Sequence, residues 1–191
     1  MTSPGRWQLT KALSALNNGE VIAYPTEGVW GLGCDPFNAD AVDRLLALKN
    51  RPMDKGLILV AANLKQVSPL LQSLSDAQLA RLKESVIANR TGRPTTWLMP
   101  SQGLIPYWIT GAHDTVAVRI SQHPTVAALC LAFGGMLVST SANPAKKAPA
   151  LTQLAARHYF DTRINVYLSG KTSSRGEASQ IRDLVTNEIL R

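Results

Sequence analysis

Four short segments carry side chains whose types and spacing suit the capture of anions. Lys49-x-Arg51-Pro52, followed by Lys55-Gly56, gathers three cations beside an expected helix end. Cations favour a helix C-terminus for dipole reasons alone. That account leaves unexplained why Pro and Gly fix the backbone around all three, so phosphate binding is the preferred reading. Ser139-Thr140-Ser141-Ala142-Asn143 presents successive small polar groups after a strand, and its hydroxyls and amides can hold a phosphate or carboxylate. An ordinary polar turn explains it equally well. Val116-Ala117-Val118-Arg119 ends an apolar strand with a guanidinium. Its burial is costly without an anionic partner, and its planar fork suits a carboxylate. Tyr24-Pro25-Thr26-Glu27-Gly28-Val29-Trp30-Gly31 sets a hydroxyl, a carboxylate and an aromatic ring together where a strand runs into a loop, a usual place for ligands in α/β folds. A turn around a buried tryptophan is the alternative.

The familiar nucleotide signatures are missing. There is no G-x-x-x-x-G-K-[ST] loop, and Gly28, Gly31 and Gly33 stand in the wrong order for G-x-G-x-x-G. These glycines read more simply as a sharply turning loop that approaches other backbone.

Alternating strands and helices must position the four segments. Leu9, Ala12, Leu13 and Leu16 follow helical spacing, and Gly19 suits the stop. Val21–Tyr24 reads as a buried strand ended by Pro25, opening a loop from Pro25 to Pro36. Asn38 caps a helix with Val42, Leu45, Leu46 and Leu48 inward, which Pro52 prevents from continuing. Leu57–Ala62 is a second strand, and Ser75 with Gln78 forms a capping box for a helix near Asp76–Lys83. Further strands are expected at Thr95–Met99, Val116–Ile120, Leu137–Ser139 and Ile164–Leu168, with helices at Pro124–Phe133 and Thr152–Phe160. The stretch Ser179–Arg191 reads as a hairpin around Thr186-Asn187. The pattern is α/β, and no repeat or linker divides residues 1–191, so one domain is expected.

Composition narrows the function classes. The 45% hydrophobic content supplies a sizeable core. The longest apolar run, Val126–Phe133, is far short of the roughly 20 residues that span a bilayer, and Met1–Glu20 lacks a signal-peptide pattern, so a cytoplasmic protein without membrane insertion is expected. Cys34 and Cys130 show no metal or disulfide spacing, and His113, His123 and His158 show no ligand spacing. Lys and Arg outnumber Asp and Glu by 20 to 13, a net charge of +7, which favours phosphate or nucleic-acid partners. A basic surface kept for solubility stays open.

Taken with His123-Pro124 and Ser179-Gln180-Ile181-Arg182-Asp183, the four segments resemble, in order and spacing, the YrdC-like threonylcarbamoyl-AMP synthases. The match runs from about Leu9 to the C-terminus, and the length resembles the short bacterial (TsaC) form. The resemblance implies a single YrdC-like α/β domain with a twisted, open, mixed sheet, flanking helices and a concave basic cleft. It implies ATP, L-threonine and bicarbonate as substrates, Mg²⁺ accompanying ATP, and a product passed to the machinery that modifies the adenosine beside the anticodon of certain tRNAs. By motif position, Lys49 and Arg51 match the catalytic cations beside ATP, and Lys55, Thr115, Ser141, Asn143 and Arg191 match further ATP-binding positions. Thr26, Arg119 and Ser179 match threonine-holding positions, with Thr140 or Ser139 assisting.

Two departures from the family pattern stand out. Arg90-Thr91-Gly92-Arg93-Pro94-Thr95-Thr96 replaces a common Arg-Trp-Pro-Gly-Pro-x-Thr, and Pro144-Ala145-Lys146-Lys147 replaces a common Ser-Gly after the asparagine. Two other functions remain open at this level. A basic surface can hold RNA through its phosphates without chemistry. The same fold also serves carbamoyl transfer within larger multidomain proteins.

Overall fold

A computed structural model describes residues 3–89, 92–173 and 178–191. Helix α1 (Arg6–Asn17) buries Ala12, Ala15 and Leu16, and Gly19 at φ 68° turns the chain away. Strand β1 (Ile22–Pro25) follows. The expected loop from Pro25 to Pro36 is instead interrupted by a second strand, β2 (Trp30–Gly33), which returns antiparallel to β1. The glycines read above as turn residues therefore lie largely within a strand, and close approach is what they provide. A Cβ on Gly33 meets Val138 O at 2.5 Å and the Tyr24 hydroxyl at 2.6 Å, closer than any side chain allows.

Helix α2 (Ala39–Lys49) is capped as its sequence asks: the Ala41 amide donates to Asn38 Oδ1, and Asn50 closes the helix in the left-handed region. Strand β3 (Ile58–Ala61) follows. A short helix α3 (Ser68–Leu71) leads into α4 (Asp76–Ala88), which carries both halves of the Ser75/Gln78 capping box. Then come β4 (Thr95–Pro100), a single-turn α5 (Tyr107–Thr110) and β5 (Thr115–Ile120). Next are α6 (Pro124–Phe133), β6 (Leu137–Ser141), α7 (Gln153–Phe160), β7 (Val166–Tyr167) and β8 (Gln180–Asp183). Beyond β8, Arg182 bridges antiparallel to Ile189 around Asn187 at φ 67°, so the expected terminal hairpin forms. In the divergent segment before β4, Arg90 and Thr91 lie outside the described residues. No described helix is long and apolar enough to cross a membrane.

The described strands form one mixed sheet of eight in the order β7-β1-β2-β6-β3-β5-β4-β8. Side chains alternate across it with period two, and the two faces are treated differently. Leu59, Trp97, Val116, Val118 and Val138 point to one face and are covered by Val42 and Leu45 of α2, Leu82 of α4, Ile109 of α5 and Phe160 of α7. On the other face, α1 and α6 cover only one end, burying Ile22, Tyr24, Val60 and Leu137 beneath Leu16, Val126 and Leu129. Burial is worth about 1.5–3 kcal/mol for each large aliphatic side chain. Where no helix supplies it, the in-register row on this face turns small, polar or half-exposed: Gly31 opposite Ser141, then Ser139, Ile58, Ala117 and Leu98 side by side.

Candidate active site

That uncovered half-face is the floor of a cavity of about 540 Å³, within the roughly 300–1,000 Å³ typical of small-molecule sites. Gly31, Ile58, Leu98, Ala117 and Ser139 form the floor, and Arg51, Lys55, Arg119 and Arg191 bring four cations to the wall. Among the described lining residues, Glu27 is the one Asp or Glu. Gly31 keeps part of this floor low, since a Cβ there sits 3.0 Å from the Thr26 methyl.

Arg119 is the central charge. It extends from β5 on the same face as Ala117, two residues earlier, and is only 9% exposed. Its nearest carboxylate oxygen is Glu27 Oε2 at 3.7 Å, too long for a hydrogen bond. Its buried Nε has no partner among the described residues. Leaving buried donors unmade is expensive, so this guanidinium is arranged for an acceptor from outside the protein. Glu27, also buried, is anchored on its other oxygen: the Ser121 hydroxyl (2.6 Å) and the Gln122 amide (3.2 Å) both donate to Oε1. Burial works to raise the Glu27 carboxyl, but Arg119 and the Ser121 hydroxyl outweigh it and hold the group below its ordinary range.

His123 locks this corner from the side. Its Nδ1 accepts from the Thr125 amide, capping α6, which leaves Nε2–H to donate to Lys171 O at 3.0 Å. Burial lowers its pKa and keeps the ring neutral.

The hydroxyls expected around the site are present and oriented. Thr26 Oγ1 donates to Val29 O (2.7 Å), leaving its lone pairs to a ligand, and the Ser179 and Thr96 hydroxyls share a hydrogen bond of 2.8 Å. Thr115, Thr140 and Ser141 also line the cavity. Arg51 Nη2 donates to Gly56 O (2.8 Å) and Lys55 O (3.3 Å), which ties its fork to the turn before β3. Arg191 Nη2 reaches Ser179 O (3.3 Å), and the Ile181 amide donates to the carbonyl of Arg191. The hairpin thus delivers a residue at the chain end to the cavity.

All the residues matched by motif position to ATP- or threonine-binding roles line this cavity except Lys49 and Asn143. Those two sit behind the wall, bonded to each other. Lys49 Nζ donates to Ser141 O and Asn143 O (2.8 Å), while the Asn143 amide donates to Lys147 O (2.6 Å) and Pro144 O (3.1 Å). Lys146 and Lys147, in the divergent loop, are exposed and not among the lining residues. Sequence reasoning passed over Glu27, Ser121 and His123 as a unit. A carboxylate at a strand end, in a chain with a buried strand arginine, was the available signal. Both cysteines are free and buried, and burial drives the Cys130 thiol up to about 12.

The Sua5/YciO/YrdC family model, described as telomere recombination, matches residues 14–191. A threonylcarbamoyl-AMP synthase of Cellvibrio japonicus (strain Ueda107) is 51% identical over 180 residues, 94% of this chain and 93% of that protein. One from Pseudomonas aeruginosa (strain UCBPP-PA14) is 51% identical over 94% of each chain. The crystal structure of P. abyssi Sua5 complexed with L-threonine superposes with a TM-score of 0.83 at 28% identity, over 95% of this chain and 52% of that one. The chain therefore spans about half the length of that Sua5.

Proposed function

Since the chain belongs to the Sua5/YciO/YrdC family, we propose that its cavity joins L-threonine, bicarbonate and ATP into threonylcarbamoyl-AMP with release of pyrophosphate. The observation that carries this reading is the Arg119 guanidinium, buried on the cavity wall with an unmatched Nε and, among the described residues, no carboxylate within hydrogen-bond distance. The carboxylate of an amino acid supplies what it lacks, in bidentate form.

Threonine then lies with its carboxylate on Arg119 and its polar groups against Thr26 and Ser179. Its amine and bicarbonate condense to a carbamate and water. A carbamate oxygen attacks the α-phosphorus of ATP, the bond from that phosphorus to the bridging oxygen breaks, and pyrophosphate leaves. Negative charge accumulates on the phosphate oxygens as this happens, so fixed cations lower the barrier most. Arg51, Lys55 and Arg191 are the wall cations available to the triphosphate, and holding both reactants in one cavity removes the entropic cost of their meeting. No side chain need form a covalent intermediate.

Mg²⁺ belongs to this proposal as the companion of ATP, carried mainly on its phosphates. Among the described residues no group of three or more His, Cys, Asp or Glu side chains converges. The product serves N6-threonylcarbamoyladenosine formation in tRNA in the cytoplasm, through a downstream transfer enzyme.

The test is pyrophosphate release from ATP and Mg²⁺ by the purified protein, with threonine and bicarbonate each added or withheld. Release that needs both, and that is lost in Arg119→Ala, is the expected result. Folded protein that releases none, yet binds RNA in a salt-sensitive way, replaces this reading with RNA binding.

A further inference from the structure

Residue 49 grips the exit of β6 at several points. Its ammonium donates to the carbonyls of Ser141 and Asn143 and lies 3.5 Å from Asn143 Oδ1. Its own backbone carbonyl accepts from the Ala145 amide at 2.8 Å. An ammonium has three protons to donate; two meet carbonyl oxygens of this one turn, and the third side faces Asn143 Oδ1 in the same turn. The residue is 5% exposed and is absent from the cavity lining, whereas Ser141 at the start of the same turn lines it. The turn is closed on its far side as well, by the Asn143 amide on Pro144 O and Lys147 O and by the Ala150 amide on Ala142 O.

We infer that Lys49 is a positioning residue: it straps the C-terminus of α2 to the Ser141–Ala145 turn, and it acts on the ligand through Ser141 and that turn rather than by touching phosphate itself. Burial, with Arg51 nearby, draws its ammonium down to about 8, so the carbonyls replace only part of the hydration that the charge gives up. Arg51, two residues on, faces the cavity. The Lys-x-Arg pair thus divides its labour, one cation holding the wall and the other facing the ligand. The consequence for ATP rests on the nucleotide reading of the cavity, while the state of the turn does not.

Amide hydrogen exchange on the ligand-free protein separates the two roles. In Lys49→Met the amides of residues 141–147 are expected to exchange roughly tenfold faster or more, with the core strands unchanged, because local opening is set by local contacts. Lys49→Arg keeps the charge but cannot fit a planar fork into a cup of three converging oxygens, so the same segment is expected to loosen there. Should the Met variant fail to fold, the Arg variant decides. In steady-state assays both variants are expected to raise KM for ATP while leaving KM for threonine and the salt dependence of ATP binding as in wild type. Unchanged exchange at 141–147 overturns the proposal. So does a flattened salt dependence, which marks a cation lost from the phosphates themselves. If the protein proves to use no ATP, the exchange result stands by itself.

Discussion

At the scale of single residues, the Glu27–Arg119 pair decides how this site responds to pH. Glu27 is ionised in the folded protein at a lower pH than in the unfolded chain, because Arg119 and the Ser121 hydroxyl favour its charged form against the cost of burial. A depressed carboxyl contributes stability that is fully present above its unfolded value and is lost as pH falls through its folded one. Glu27→Gln is therefore expected to lose stability at neutral pH and to show a flatter decline than wild type below the ordinary value of 4.5. Urea midpoints measured from pH 7 down to pH 3 check this, and parallel curves for the two proteins count against it. Threonine affinity should fall in the same variant, since the amide no longer restrains the Arg119 fork. Neither effect could be weighed from the motif alone, where Glu27 and Arg119 stand far apart in the chain.

At the scale of elements, local signals proved reliable where the chain satisfies itself. The Ser75/Gln78 box and the Asn38 cap both form as written, because each joins backbone groups only three residues apart. Helix α4 runs farther than expected, to Ala88, and Val86 in the added turn packs against the core. Ser75→Ala is expected to cost about 1 kcal/mol in stability, with turnover unchanged because α4 packs on the face of the sheet away from the cavity. Thermal denaturation beside a turnover assay tests this, and a fall in turnover without a fall in stability contradicts it. Strand β2 is the element that local reading missed. Gly31 and Gly33 weaken it as a strand by propensity, and it forms because Tyr24, Thr26 and Val138 pack where side chains on those glycines would stand.

At the scale of the whole molecule, function follows from covering the sheet unevenly. Adjacent residues of β5 should consequently behave as opposites. Ala117 lies half-buried on the cavity floor and Val118 is 2% exposed in the core beneath. Ala117→Phe is expected to leave the fold intact while blocking threonine and ATP. Val118→Ala is expected to cost roughly 2 kcal/mol of stability through the cavity it leaves, while the folded fraction still binds. Calorimetric titration with threonine and urea denaturation of both variants test the pair; blocked binding in Val118→Ala, or unfolding of Ala117→Phe, means the two faces are assigned wrongly.

By itself the sequence determined the α/β class, most helix boundaries, and the residue types able to hold a carboxylate and phosphates, because caps, periodicity and short motifs act over a few residues. Its segment order also sufficed for the family resemblance. The sequence did not determine which of those residues meet. Strands β6 and β3 are neighbours although far apart in the chain, which sets Ser139 beside Ile58, and the sheet order β3-β5-β4-β8 brings Arg119 and Arg191 to one wall with Arg51. The tertiary structure alone placed Glu27 against Arg119, and it turned the ammonium of Lys49 toward carbonyls of a distant turn. Such contacts depend on where helices leave a sheet uncovered, and that is settled by packing across the whole chain.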